Sequence, residues 1–208
     1  MNALREAVLP PAPVRREEAL RYAMQPRAYD GGPIPALEDC VRMAEGKVPC
    51  RAVWRLFPVI RKGDGLDLGF AVTGSRKLQT HLAGCDRIVL FALTAGMEME
   101  RLILRAKALS PLHGLMMNAV GAAIAEEACD RLCGRLAAAF PEDTLRDRFS
   151  PGYGDLPLSL QKDIFTALSC EKRLGLTLTG SLLMQPGKSV TAIVGLSPRK
   201  EDHREPLP

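Results

Sequence analysis

The stretch from Asp86 to Gly96, DRIVLFALTAG, is the strongest structural signal in this sequence. It is a continuous apolar run with β-branched and aromatic members, which is typical of a strand buried on both faces. A short helix, capped by Ser75 and closed at Gly84, is predicted before it, and a helical pattern begins directly after it. The run therefore predicts a buried strand between two helices.

Two further strand patterns lie nearer the start of the chain. Residues 51–60, RAVWRLFPVI, combine aromatic and β-branched residues, and Pro58 either ends this strand or places it at a sheet edge. The turn signal GDG at 63–65 leads into LDLGFAV at 66–72, which we expect to pair back as a second strand.

Helical spacing of apolar residues occurs at 16–24 and 36–46, and again over 97–109. The pair Ser110–Pro111 is a good N-cap and first-turn combination. It opens an alanine-rich pattern that predicts one long helix to about residue 139.

Strand patterns return near the end of the chain, at 176–184 and 189–197, joined by a Pro-Gly turn. Strands and helices do not alternate as βαβ units, so the order predicts an α+β fold with a largely antiparallel sheet and packed helices. We place this single domain at residues 16–197. A flexible N-terminal arm (1–15) and a polar C-terminal tail (198–208) are predicted on either side of it.

Composition and charge argue against several classes of protein. The net charge of +4 is far below that of a nucleic-acid-binding domain, and the 5% of aromatic residues are not interleaved with a basic stripe. No apolar run approaches the roughly 18 residues of a membrane span, and no signal-peptide pattern is visible. The six cysteines form no Cys-x-x-Cys pair and are predicted to be free thiols, without a metal site. We therefore expect a cytoplasmic protein with no nucleic-acid or membrane partner.

A second distinctive stretch, Arg148–Pro157 (RFSPGYGDLP), lies between two segments predicted to be helices. Gly152 and Gly154 allow unusual backbone turns, so the main chain can come close to a flat ligand. Arg148 can hold a carboxylate through two hydrogen bonds, and Tyr153 can stack on an aromatic ring. The alternative is a helix–helix connection whose arginine faces water, and the residues alone leave both open.

Acidic residues near this stretch are the other candidate ligand contacts. Glu126 and Glu127 lie in the middle of the long predicted helix, and Glu142 and Asp143 come just before Arg148. A carboxylate there would suit a positively charged ligand, whereas solvated helix charges are the alternative. No nucleophile motif or dinucleotide fingerprint is present, so no catalytic residue is predicted.

The segment RFSPGYGDLPLSLQKDIFTAL resembles the S-adenosylmethionine-binding loop of the reactivation domain of cobalamin-dependent methionine synthase. The motif of that family, Arg-x-x-x-Gly-Tyr, is matched by Arg148, Gly152 and Tyr153, and Pro157 and a helix follow. Residues 170–197, CEKRLGLTLTGSLLMQPGKSVTAIVGLS, keep the family's order of helix, strand, Met-x-Pro-Gly turn and strand. EALRY and LTAGMEMERLILRA resemble short stand-alone relatives of the domain, so the resemblance covers most of the chain.

The resemblance implies a single curved α+β domain that binds S-adenosylmethionine and caps a cobalamin domain. In that family an electron, typically from flavodoxin, and the methyl group of S-adenosylmethionine return inactive cob(II)alamin to methylcobalamin. This sequence shows no cobalamin-binding domain. We therefore expect a reactivation subunit that acts in trans on a cobalamin-binding methionine synthase chain and has no turnover alone. The electron donor would be flavodoxin or another reductant.

The same resemblance assigns residues to the ligand. Arg148 would hold the methionyl carboxylate. Backbone groups around Phe149, Pro151 and Gly152 would contact the nucleoside, with Tyr153 packed alongside.

Two acids and two departures complete this assignment. Glu126 and Glu142 occupy places where the family carries acidic residues, and they would be partners of the ligand's positive groups. The family's acidic contact near the start of the domain has no clear counterpart, because Gln25 takes that place and Asp30 is a weak substitute. An aromatic pair that follows the last matched strand in the family is replaced here by residues 198–208, PRKEDHREPLP.

Two other hypotheses stay open at this point. The chain could serve a different corrinoid methyltransferase, with the same fold and another partner. It could also be an accessory docking module that caps a corrinoid protein with weak or no S-adenosylmethionine binding.

Overall fold

One antiparallel sheet of five strands lies at the centre of the computed structural model, which describes residues 3–23 and 34–199. In chain order the strands are β1 (Arg5–Leu9), β2 (Cys50–Pro58), β3 (Ile60–Lys62), β4 (Gly65–Asp67), β5 (Val72–Thr73), β6 (Arg87–Thr94), β7 (Asp143–Phe149), β8 (Thr177–Leu178), β9 (Met184–Gln185) and β10 (Ser189–Pro198). The helices are α1 (Arg16–Ala23), α2 (Pro35–Ala44), α3 (Arg76–His81), α4 (Gly96–Leu109), α5 (Pro111–Ala139), α6 (Gln161–Leu168) and α7 (Cys170–Leu174).

The main sheet has the strand order β1-β2-β6-β10-β7, and every neighbouring pair is antiparallel. The predicted α+β fold with an antiparallel sheet and packed helices is thereby confirmed. Two small sheets, β3-β4-β5 and β8-β9, lie outside it. None of the described helices combines the length and the hydrophobicity that a membrane span requires.

Strand β6 confirms the prediction made from the apolar run at 86–96. Because successive side chains of a strand point to opposite faces, its residues divide between two apolar layers. Val89, Phe91 and Leu93 face a core with helices α1, α2, α4 and α5. The alternate residues Ile88, Leu90 and Ala92 face a second core with α3, α6 and α7.

The predicted long helix is also confirmed, as α5, and it is the largest element of the first layer. Its N-terminus is capped as expected, because the Ser110 hydroxyl oxygen accepts a hydrogen bond from the His113 N–H at 3.1 Å. The close packing of α5 against its neighbours depends on the small residues of this helix. A Cβ at Gly121 would lie 3.1 Å from both Met99 Cγ and Lys188 Cγ.

The predicted flexible arm at 1–15 is wrong over Arg5–Leu9, which forms strand β1 and pairs with β2 from Arg5↔Trp54 to Leu9↔Cys50. The strand is short and prolines follow it directly, so its periodicity is hidden in the sequence. With β1 beside it, β2 is not an edge strand, and Pro58 ends it instead. Most of the predicted tail, residues 200–208, lies outside the described residues.

The predicted pairing of residues 176–184 with 189–197 is also wrong. A turn that carries Leu182 at a φ of 65° folds the first segment back on itself, so that β8 pairs with β9. Strand β10 lies between β6 and β7 in the main sheet. Its middle residues, such as Ile193 and Val194, are fully buried, and a two-stranded hairpin could not bury them on both faces.

Gly195 in β10 packs closely against the residues that follow α3. A Cβ there would lie 2.7 Å from Cys85 Sγ and 2.8 Å from Leu82 Cδ2, and both neighbours are buried.

We expect Gly195→Ala to lower the free energy of unfolding by about 1–3 kcal/mol through overpacking, measured by urea denaturation. Gly134→Ala is the control, because a Cβ there meets nothing within 4 Å. It lies in the exposed part of α5 and is expected to stabilise by about 0.5–1 kcal/mol. Equal effects of the two substitutions would contradict this account of Gly195.

Candidate ligand-binding site

The Arg148 loop begins at the end of an edge strand. The predicted helix before this loop ends at Ala139, and residues 143–149, for which the sequence predicts no element, form β7, which pairs with β10. An edge strand with one polar side carries few apolar residues. The segment DTLRDRF therefore lacks the alternation that would have identified it.

A β-bulge in β7 decides which way Arg148 points. The pairing register shifts between Val194 and Leu196, so two residues of β7 lie opposite Gly195. In a regular strand Leu145 and Arg148 would point to opposite faces, since they are three positions apart. The extra residue turns both toward the α5 layer, where Leu145 packs against the core and Arg148 reaches the helix.

Arg148 meets two carboxylates on consecutive turns of α5. Its Nη2 lies 2.9 Å from Glu126 Oε2 and 3.0 Å from Asp130 Oδ1. The arginine side chain is 24% exposed, whereas that of Asp130 is 56% exposed. The second terminal nitrogen, Nη1, is buried and has no hydrogen-bond partner among the described residues. Glu126 is therefore brought to Arg148 as predicted, and Asp130 joins it.

The thiols of α5 beside Arg148 are neutral at physiological pH. Burial raises the pKa of Cys129 to about 12, and it also raises the pKa of Cys133. Neither side chain therefore contributes a charge or a reactive thiolate to the site.

The other predicted contacts form a compact turn after β7. Phe149 and Pro151 are buried, whereas Tyr153 is 69% exposed, and the Tyr153 ring meets the Phe149 ring edge-on at a centroid distance of 5.5 Å. Gly152 has a φ of +85°, which favours glycine, and its N–H donates to the Leu156 carbonyl at 2.8 Å. The loop therefore presents one aromatic ring to solvent on a fixed backbone.

Asp155 ties the loop to helix α3, a contact that the sequence does not predict. Its carboxylate accepts hydrogen bonds from the Ser75 hydroxyl and from the Arg76 N–H, the latter at 2.8 Å, so it caps helix α3. Ser75 itself caps α3 as predicted, since its hydroxyl oxygen accepts from the Leu78 N–H at 3.1 Å. The other end of α3 also reaches β7, where His81 Nε2 lies 2.7 Å from the carbonyl oxygen of Asp147.

A surface cleft of about 510 Å³ lies between β7 and α5, a size that suits a small organic ligand. Its lining residues are Asp130, Cys133, Gly134, Ala137, Leu145, Arg146, Asp147 and Arg148. A larger groove of about 730 Å³ lies beside α6 and α7, but it contains none of the predicted contacts, and size alone does not identify a site. The cleft at Arg148 is therefore the better candidate.

The family of the chain follows from a direct comparison. Residues 78–203, more than half of the chain, match the family model described as vitamin B12 dependent methionine synthase, activation domain. The chain belongs to this family. This confirms the family that the Arg148, Gly152 and Tyr153 motif indicated. No curated protein matches the chain.

Among solved structures, the fold is similar to that of the MetH reactivation domain bound to AdoHcy, that is, S-adenosylhomocysteine. The TM-score is 0.66 at 22% sequence identity, over 96% of this chain and 80% of the other. The similarity covers far more of the chain than residues 78–203, so it supports the activation-domain fold for nearly the whole chain.

Not every predicted residue of the activation-domain site comes together. Glu142 is exposed and directly precedes β7, six residues before Arg148, which corresponds to about 20 Å along a strand. The structure therefore separates Glu142 from Arg148. Gln25 and Asp30 lie outside the described residues. The described residues contain no group of three or more His, Cys, Asp or Glu side chains that could hold a metal ion.

The Asp155 cap makes the stability of the loop pH-dependent. The hydrogen bond from Ser75, chiefly, holds the pKa of Asp155 below its ordinary value of 3.8. A carboxylate with a lowered folded-state pKa contributes stability above its ordinary pKa, and this contribution is lost as the pH falls through the folded-state value. We expect Asp155→Ala to lower the thermal unfolding midpoint at neutral pH, and the difference from wild type to shrink in strong acid.

Asp155→Asn is the matched control, because it keeps the shape and one acceptor but cannot ionise. Its deficit should be smaller than that of Asp155→Ala. A difference between wild type and Asp155→Ala that stays constant from neutral to strongly acid pH would contradict the role of the charge.

Proposed function

We propose that this chain binds S-adenosylmethionine at the Arg148 loop and the adjoining cleft, and acts in trans as a reactivation subunit for a cobalamin-dependent methionine synthase. The observation that carries the proposal is the placement of the family motif. Arg148 lies in β7 and lines a cleft of ligand size, and Gly152 and Tyr153 follow in the turn directly after this strand. Membership of the activation domain family and the fold of the AdoHcy-bound neighbour support it.

The carboxylate of the ligand would bind Arg148 by replacing one of its present partners. Both hydrogen bonds seen at Nη2 go to carboxylates, of which Asp130 is the more exposed and Glu126 the more buried. Asp130 can give up its contact with Arg148 at small cost, because exposed ion pairs contribute little to stability. The exposed ring of Tyr153 and the backbone of Phe149 to Gly152 would flank the nucleoside.

Cobalamin carried by the partner chain would supply the reduced cobalt that accepts the methyl group. The sulfonium loses its methyl group as a cation equivalent and leaves as a neutral thioether, so the protein need not move a proton. The residues of this chain would supply position and electrostatic match, which is sufficient for such a transfer. One electron from flavodoxin or another reductant would first reduce the inactive cob(II)alamin of the partner to cob(I)alamin, the form that can take the methyl group.

A second candidate function is supported by the ion pairs themselves. Because Arg148 already holds Glu126 and Asp130, its role could be to fix β7 on α5 rather than to bind a ligand. A separate cleft of about 590 Å³ carries Met97, Leu104 and Leu183, each more than half exposed. Such exposed apolar side chains suit a docking surface, so the alternative is a module that caps a corrinoid protein with weak or no S-adenosylmethionine binding.

Calorimetric titration with S-adenosylmethionine separates the two candidates. We expect saturable binding to wild type and a loss of about 10- to 100-fold in affinity for Arg148→Ala, since charged hydrogen bonds contribute about 1.5–3 kcal/mol. Arg148→Lys should recover only part of this, because an ammonium cannot form the paired contact. Arg42→Ala, an exposed arginine on α2, is the control and should bind normally. Absence of binding to wild type would leave the docking module as the function.

The action in trans has its own test. A separately purified cobalamin-binding methionine synthase chain would be mixed with this chain, a chemical one-electron reductant and methyl-labelled S-adenosylmethionine. We expect label on the partner's cobalamin only when this chain is present, and little with Arg148→Ala. Equal labelling without this chain would contradict the proposed role.

A further inference from the structure

The surroundings of Arg148 carry an excess of negative charge. One guanidinium faces the two carboxylates of Glu126 and Asp130 at 2.9 and 3.0 Å. Asp147 adds a third acidic residue to the lining of the same cleft. Among the residues lining this cleft, the second cation is Arg146, and it is directed elsewhere. Its Nη2 donates to the Ala83 carbonyl at 3.0 Å, beside Cys85 on the α3 side of the sheet.

The nearby groups on α1 and α5 do not remove this excess. Glu127 is the neighbour of Glu126 and pairs with Arg15 at 3.6 Å, so this pair is neutral overall. The Cys129 thiol is uncharged at physiological pH. Tyr22 on α1, whose pKa burial raises, is also uncharged there. Among the described residues, the cleft lining and Glu126 therefore carry three acidic side chains and two arginines, and Arg146 donates to the Ala83 carbonyl rather than to one of these acids.

The methyl donor and its product differ by one charge. S-adenosylmethionine carries a carboxylate, an ammonium group and a sulfonium, and is a net cation. S-adenosylhomocysteine has lost the sulfonium charge and is neutral overall. A site with excess negative charge attracts S-adenosylmethionine more strongly than S-adenosylhomocysteine, even though the two ligands make the same contacts through the carboxylate and the nucleoside.

We propose that Asp130 is a specificity-determining residue, whose carboxylate, next to Arg148, makes the site prefer the cationic methyl donor over the neutral product. This inference rests on the proposed function. Asp130 is the more exposed of the two acids and lines the cleft, so it is the partner that a ligand carboxylate displaces from Arg148. Once displaced, it remains beside the ligand as an unpaired negative charge facing the sulfonium or ammonium group. Release of S-adenosylhomocysteine after methyl transfer is then favoured, because it lacks the positive sulfonium charge that Asp130 attracts.

The test compares two ligands on matched variants. Calorimetry would measure the dissociation constants of S-adenosylmethionine and S-adenosylhomocysteine for wild type, Asp130→Asn and Asp163→Asn. Removal of the Asp130 charge also frees Arg148 for the ligand carboxylate, but both ligands carry that carboxylate. The ratio of the two constants cancels this common effect and isolates the charge of the sulfonium.

We expect Asp130→Asn to reduce the preference for S-adenosylmethionine by about three- to tenfold, the size of one charge interaction at a partly exposed site. Asp163→Asn removes the same charge from an exposed position on α6, which packs on the other face of the sheet, and should leave the ratio unchanged. Added salt should weaken the wild-type preference.

Three outcomes would overturn the inference. An unchanged ratio in Asp130→Asn, with both ligands still bound, would remove Asp130 from selectivity and leave the proposed function intact. An equal change in Asp163→Asn would show a general effect of net charge. Failure of both ligands to bind wild type would overturn the proposed function and this inference together.

Discussion

Burial of β6 on both faces is the constraint on which the rest of the structure depends. Every side chain from Ile88 to Leu93 is fully buried, and alternate residues face different layers. Each of the large apolar side chains among them contributes about 1.5–3 kcal/mol only if its face of the sheet is covered. The sheet must therefore carry helices on both sides, and α5 on one face and α3, α6 and α7 on the other meet this requirement.

Strands at the edge of the sheet are less constrained by burial than β6, and the candidate site lies at such an edge strand. Strand β7 has a neighbour in the main sheet on one side only, so it tolerates a bulge opposite Gly195 that an inner strand would not. The bulge lets Arg148 face α5 while Phe149 packs into the opposite layer. The loop that follows is thus fixed by both layers at once, and Asp155 ties it to α3 as well. A ligand contact built in this way costs little reorganisation, since most of its geometry is held by the core.

The sequence predicted the parts of the fold whose causes are local. The apolar run of β6 and the Ser110 cap of α5 act within a few residues of themselves, so their patterns are readable. The sequence predicts no element over β7, because this strand is polar and bulged, and it does not predict β1, because prolines follow that strand directly. The order of strands in the sheet depends on contacts between distant segments, which periodicity does not encode.

The candidate site shows the same difference between features set by neighbouring residues and features set by contacts between distant segments. The motif of Arg148, Gly152 and Tyr153 is contiguous and can be recognised in the sequence, and Glu126, predicted as a ligand contact, lies beside Arg148. Asp130 lies four residues further along α5 and carries no motif of its own. Asp155 acts on Ser75, which is 80 positions away, so only the folded chain reveals the contact.

The first strand has a consequence for how copies of this chain meet one another. Strand β1 forms the outer edge of the sheet, and unpaired edges are surfaces at which a second chain can add a strand. Two arginines of α5 lie against this strand, with Arg135 Nη1 at 3.3 Å from the Val8 carbonyl and Arg131 Nη1 at 2.7 Å from that of Pro10. A second copy aligned along this edge would bring like charges together and would compete for carbonyl groups already in use. Positive charge and occupied carbonyl groups at a sheet edge are among the features that oppose edge-to-edge pairing of strands, and β1 carries both.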